Sequence, residues 1–256
     1  MQSEPTTPNV ARIYDYLIGG VHNFAVDRAA ADRLVEMAPL AVQTARLNRL
    51  FLEYAVEDMV EAQLNAFIDL ASGLPTEGAI HERAPETAKI LYNDHDSEVV
   101  AYSRQILGAR PNIDYMESKI EDIETILAAA ERVFGAERRV GLIMIGVVYF
   151  IDDAALRHVF QRLYEWAAPG SQLAISSFDL NEADVNWPHT REMYRRMGVE
   201  LYPRTPAHLL ALAGDWRSSA QGFQRLEDIV EAKLQTTLAL ETDRGKLGYA
   251  GVLVRR

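Results

Sequence analysis

Apolar and polar positions alternate along the chain in two regimes, a helical front and a longer stretch of strands and helices. From Val10 to Met59 the spacing is helical. Leu47, Leu50, Phe51, Tyr54 and Met59 recur every three to five residues, which predicts an amphipathic helix of about five turns. Asp27 reads as the N-cap of a helix starting at Arg28, and Gly19-Gly20 as a hinge or tight turn. Beyond Ala62 the period changes. Short apolar runs at 66–71, 89–92, 113–116, 140–148 and 172–177 read as strands. Helices are expected from Thr76 to Ala88, Ser97 to Gly108 and Asp153 to Ala167. The run Val140 to Val148 has no polar position, as expected of a strand buried on both faces of a parallel sheet. An insertion at 180–200, a helix from Pro206 to Gly214 and strands near Phe223 and at 248–254 complete the pattern.

This order predicts a doubly wound, Rossmann-like α/β sheet. The expected organisation is one domain over residues 1–256, with an N-terminal helical lid (1–62) in front of the core (63–256). In such sheets ligands bind beyond the carboxyl ends of the strands, where strand order reverses. The first strand delivers Asp69 and the turn Ala71-Ser72-Gly73 to that edge, and Gly73 lets backbone approach a ligand. The second strand ends at Asp94, placed to accept from both hydroxyls of a ribose. The helix expected after the turn would aim its N-terminus at the site and attract a carboxylate or a phosphate. A dinucleotide site asks for more glycines than this turn carries, and no Gly-Lys-Ser/Thr follows for a phosphate loop. An adenosine cofactor is therefore expected, with a nicotinamide dinucleotide as the less favoured alternative.

Composition narrows the picture. The chain has 256 residues, enough for a sizeable core, and no cysteine, which removes disulfides, thiolate metal sites and cysteine nucleophiles. With 37 acidic against 26 basic residues the formal charge is −11, which disfavours nucleic acid as a partner. No apolar run is long enough to span a bilayer, and the first residues carry no secretion signal, so a cytoplasmic protein is expected. Asp94, His95 and Asp96 diverge too much to chelate, so no metal is expected. Trp166, Trp187 and Trp216 are read as packing residues and His81 as structural. A homodimer through the apolar N-terminal helices is possible on the sequence, as is packing of those helices on their own core.

The stretch Pro8 to Gly20, with Asn23-Phe24 and Asp27-Arg28, resembles the N-terminal signature of an actinobacterial family of S-adenosylmethionine-dependent methyltransferases, the methyltransferase 19 group. The resemblance runs on through Ile68 to Thr76, His81-Glu82, Tyr92, Asp94, Asp96, Val147 to Phe150 and Ala168 to Ser171. It implies a class I methyltransferase fold, S-adenosylmethionine as cofactor and no particular acceptor. It places Asp69, Ala71, Ser72 and Gly73 along the methionine part, Asp94 on the ribose and His95 over the adenine. Glu117, Ser118 and Lys119 would face the adenine edge, and Gly146 and Val147 would lie beneath the sulfonium. Arg12, Tyr14, Tyr16 and Asn23 would come from the lid. The chain departs from the family pattern at Val21, His22, Ala71, Lys119 and Tyr149. His22 and Tyr149 are the candidate catalytic residues; Tyr149, Phe178, Trp187 and His189 are the candidate acceptor-binding residues. The expected activity is methyl transfer to a small molecule of specialised metabolism. The alternative is a relative that binds S-adenosylmethionine without transferring its methyl group, in a cyclase-like or regulatory role.

Overall fold

The computed structural model describes residues 5–178, 187–196, 198–239 and 247–256. The core is an eight-stranded sheet: β1 (Ala66–Leu70), β2 (Lys89–Asp94), β3 (Ile113–Glu117), β4 (Gly141–Met144), β5 (Gln172–Ser177), β6 (Arg217–Ser218), β7 (Gln224–Arg225) and β8 (Tyr249–Val254). The order is β3-β2-β1-β4-β5-β8-β6, with β7 pairing β8 beside that path. β1 to β5 run parallel, and β8 returns antiparallel to β5. Strand order reverses between β1 and β4, and the expected doubly wound α/β sheet is present.

Alternation along each strand feeds two helical layers. Ile68, Leu142, Met144, Leu173 and Ile175 pack with α6 (Ile123–Phe134), α7 (Asp153–Trp166) and α9 (Pro206–Ala213). Phe67, Ile90, Ile143 and Ala174 pack with α3 (Ala41–Glu61), α5 (Ser97–Leu107) and α10 (Leu226–Leu234). Every residue of β1 and β4 is buried, as two covered faces require. In front of the sheet, α1 (Val10–Ile18), α2 (Ala25–Met37) and the start of α3 share a separate apolar cluster of Ile13, Leu17, Ala31, Leu34 and Ala45.

Three local expectations are corrected. The helix foreseen from Thr76 to Ala88 is only the four-residue α4 (Ile80–Arg83), because Pro75, the left-handed Gly78 (φ 76°) and Pro85 interrupt it. The long helix expected to follow the first turn is therefore not there to aim its N-terminus at the site. Asp27 does not cap a helix at Arg28: α2 starts at Ala25, and the buried Asp27 carboxylate reaches back to the Phe24 N–H (2.9 Å). The apolar run at 140–148 is strand only as far as Met144. Gly146 turns left-handed (φ 72°), its N–H donates to Ser176 Oγ (2.9 Å), and Val148–Phe150 coil into a 3₁₀ turn. α6, α10 and β6 are not among the predicted elements. In the predicted insertion, α8 (Trp187–Arg196) is described and 179–186 lie outside the described residues.

Candidate functional site

The carboxyl ends of β1 to β4 open into a cavity of about 400 Å³, roofed by α1 and α3. Its central feature is the turn after β1. Ala71 (φ 55°) and Gly73 (φ 65°) both take left-handed backbone, which lifts the turn out of the sheet. The Ser72 N–H donates to Asn93 O (2.8 Å) and the Gly73 N–H to Asp94 Oδ2 (3.0 Å), tying the turn to the end of β2. From β3, the buried Tyr115 hydroxyl donates to Gly73 O and accepts from Ser72 Oγ (3.1 Å). Its ring stacks on buried Tyr92 (5.7 Å between centroids), whose hydroxyl meets the His81 N–H and Nδ1 (3.1 and 2.9 Å). His81 is thus tied to the Tyr92 side chain, and burial lowers its pKa. A side chain at Gly73 would press on Ala11 of α1, so roof and turn are in close contact.

Asp69 lines the cavity at the end of β1. Its carboxylate accepts no hydrogen bond among the described residues, and burial pushes its pKa up to about 7. Arg49 of α3 opposes that rise and Asp94 adds to it. Asn93, His95, Ser118, Lys119, Ile120 and Glu121 form the wall from β2 and β3. Asp94 itself is buried behind them: Oδ2 takes the Gly73 N–H and Oδ1 the Asp96 N–H (3.0 Å) and His95 Nδ1 (3.3 Å). The hydrogen bond to Asp94 raises the pKa of His95. Ile143, Ile145, Gly146 and Val147 make the floor, and Phe150, Ile151 and residues 198–200 the far wall. Glu200 is held there by Arg191 and Arg195 (2.6 and 2.7 Å), which lower its pKa.

Of the residues singled out in the sequence, Tyr14, Asp69, Ala71, Ser72, Gly73, His95, Ser118, Lys119, Gly146 and Val147 line this cavity. Several do not. Arg12 is buried between Asp27 (2.8 Å) and Glu98 (3.3 Å) and staples α1 to α2 and α5. The Tyr16 hydroxyl donates to Asp32 (3.3 Å), and the Asn23 amide donates to Asp15 (3.0 Å) and Gly20 O (2.9 Å). His22 Nδ1 meets the Tyr102 hydroxyl (2.8 Å) outside the lining. Glu117 is exposed at the end of β3. Tyr149 packs on Phe178 (4.1 Å) and against Phe150 (4.5 Å), so that Phe150 is the ring that reaches the cavity. His189 is exposed on α8, and the Trp187 side chain lies outside the described residues.

Sequence reading missed Asn48, Arg49 and Leu52 of α3, Asp15 of α1 and Thr76 after the turn. A signal existed. Asn48 stands between Leu47 and Phe51 on the buried stripe of α3, where a polar residue needs a reason.

The lining suits S-adenosylmethionine, which joins a nucleoside to an amino acid through a sulfonium cation. Buried Asp69 lacks a donor and asks for positive charge. Gly73 and Gly146 leave room for close approach, and Ile120 and Val147 offer apolar contact for a base. Among the described residues no group of acidic or histidine side chains could hold a metal.

Comparison with known proteins agrees with this chemistry. A family model described as S-adenosyl methyltransferase matches residues 2–222. A crystallised methyltransferase candidate from Thermobifida fusca YX is 26% identical, with a TM-score of 0.84 over 99% of this chain and 97% of that one. A DUF574 family protein from Streptomyces avermitilis MA-4680 is also 26% identical, at a TM-score of 0.84 over 98% of both chains. An S-adenosylmethionine-dependent methyltransferase from Anabaena variabilis ATCC 29413 shares the fold at 12% identity (TM-score 0.54, 99% of both chains). No curated protein matches the chain. Fold, site and family model together show that the chain belongs to the S-adenosyl methyltransferase family and is an S-adenosylmethionine-dependent methyltransferase.

Proposed function

We propose that this methyltransferase acts on a small-molecule acceptor of specialised metabolism, bound in the same cavity as the cofactor. The observation that carries the reading is the cavity itself. Its volume of about 400 Å³ lies in the range of small-molecule sites, and α1 and α3 roof it against a bulky partner. The net charge of −11 works against a nucleic-acid acceptor.

The bound cofactor supplies an electrophilic methyl group on sulfur; the residues around it bind, orient and exclude water. Asp69 would face the positive charge of its amino-acid head, and the Ala71–Gly73 turn would lie along its chain. Asp94 spends Oδ1 on the Asp96 N–H and His95 and one lone pair of Oδ2 on the Gly73 N–H, which leaves Oδ2 acceptor capacity for a ribose hydroxyl. His95, Ser118 and Lys119 would flank the base, and Gly146 and Val147 would form the surface under the sulfur. Tyr149 and Phe178 back the Phe150 ring on the acceptor side.

Proton handling narrows the acceptor class. Burial holds the Tyr149 pKa well above its ordinary value, so its phenol orients and does not accept protons at neutral pH. His22 is engaged by Tyr102 away from the lining, and Glu200 is a weak base between two arginines. The wall near Phe150, Ile151 and Val199 is apolar. An acceptor suited to this wall brings its own nucleophile: a phenolate, a carboxylate or a neutral amine. Formation of S-adenosylhomocysteine across a panel of phenols, carboxylic acids, amines and aliphatic alcohols tests this. Turnover is expected in one of the first three classes. Turnover only with alcohols would refute the acceptor class, and cofactor binding with no turnover in any class would favour binding without transfer.

A further inference from the structure

The covering helices bring unsatisfied polar groups to the cavity that none of the assignments above uses. Arg49 on α3 makes no hydrogen bond or ion pair among the described residues, and its Nε is buried without a partner. Its guanidinium lies over the Tyr14 ring (5.6 Å), and a side chain on Gly78 would strike its Cδ at 2.9 Å. The arginine is therefore held in place by packing while its N–H groups make no hydrogen bond among the described residues. Thr76 is buried, and its hydroxyl has no partner. Asn48, one residue before Arg49 and also buried, has an unpartnered amide oxygen. All three line the cavity, together with the bare Asp69 carboxylate. Asp15 Oδ1 is unpartnered too, but it abuts Gly20.

A buried polar atom without a partner costs about 1–3 kcal/mol, so several around one cavity mark the outline of a ligand. Their types are complementary to a zwitterion: donors at Arg49 and Thr76 for an anion, acceptors at Asn48 and Asp69 for an ammonium. The opposite wall, at His95, Ser118 and Lys119, belongs to β2 and β3, and the Ala71–Gly73 turn lies between the two. We propose that Arg49 and Thr76 bind the carboxylate of the cofactor's amino-acid head, with Asn48 and Asp69 on its ammonium. The helical cover then selects the intact cofactor from other adenosine thioethers. The inference rests on the family's cofactor and not on the acceptor.

Calorimetric binding of S-adenosylhomocysteine and 5′-methylthioadenosine separates the parts. Both carry the nucleoside and the sulfur, and only the first has the amino-acid head. Wild type is expected to bind S-adenosylhomocysteine the more tightly. Arg49→Met keeps the packing over Gly78 and removes the charge; it is expected to weaken S-adenosylhomocysteine about 10- to 100-fold, the range of a lost charge-assisted hydrogen bond, and methylthioadenosine less than about twofold. Arg49→Lys should recover part of the loss. Equal losses for both ligands, or no loss for either, would overturn the proposal. Should Arg49→Met fail to fold, Thr76→Val decides on the same ratio. Failure of wild type to bind S-adenosylhomocysteine would count against the cofactor itself.

Discussion

Asp69 shows what a binding site costs the fold. Its pKa of about 7 in the native chain lies above the ordinary 3.8, so between those values the native chain holds a proton that the unfolded chain has lost. Stability therefore falls as pH rises from about 4 to 7, and the penalty is complete above that window. Asp69→Asn should match wild type near pH 4 and exceed it at pH 8 by a few kcal/mol, up to about 4 from the size of the shift. Urea midpoints at the two pH values measure this, and a gain that does not change with pH would contradict the assignment. Ala71 is a smaller case. A left-handed alanine costs about 1–2 kcal/mol, part of which glycine returns as unfolded-state entropy, so Ala71→Gly should stabilise by about 0.5–1 kcal/mol in urea unfolding. Residues of the β1 turn were readable in the sequence because strand, glycine and acid follow one another there. Arg49 was not, because on a helix of mixed polarity nothing in spacing alone separates a solvated arginine from one packed over a glycine.

Among the elements, α1 is fastened by buried polar contacts. Asp27 accepts from Arg12 Nε (2.8 Å) and from the N–H groups of Asn9 and Phe24 (both 2.9 Å), and the Asn9 amide donates to Asp96 at the start of α5. Removing the carboxylate leaves the buried Arg12 guanidinium with the exposed Glu98 and a backbone carbonyl, a loss approaching the roughly 3–5 kcal/mol of a broken buried pair. The chain can limit that loss by releasing α1. Asp27→Ala is therefore expected to speed hydrogen exchange in α1 while the amides of β1 and β4 stay protected, and to weaken S-adenosylhomocysteine binding because Ala11 and Tyr14 leave the roof. Uniformly faster exchange throughout would mean that α1 and the sheet unfold together. The long helix α3 and strands β1, β2, β3 and β5 were legible from periodicity. The helix after β1 was not, since Gly78 and Pro85 outweigh the helical spacing of the residues around them.

Across the whole molecule the apolar faces are spent internally. α1 and α2 close on Ala45 of α3, and among the described residues Val21 and Leu234 are the strongly exposed large hydrophobics. No helix among the described residues is long and apolar enough to cross a membrane. The α/β class was legible because strands buried on both faces leave long apolar runs; the position of α1 and α3 over the strand ends was not, because it depends on contacts across the cavity. At the cavity itself α1 meets the turn through Ala11 and Gly73, while Arg49 Nε and the Thr76 hydroxyl have no hydrogen-bond partner among the described residues. α3 is packed on the sheet without any ligand, so the contacts that the cofactor should add are those between α1 and the β1 turn. At a hundredfold excess over Kd a ligand adds about 2.7 kcal/mol to native stability, which for a chain of this size is roughly 5–11 °C in Tm. S-adenosylhomocysteine should raise Tm by that amount and slow hydrogen exchange in α1 together with the β1 turn. A rise in Tm with unchanged exchange in α1 would mean that the ligand is held by the sheet alone and that the cover takes no share of it.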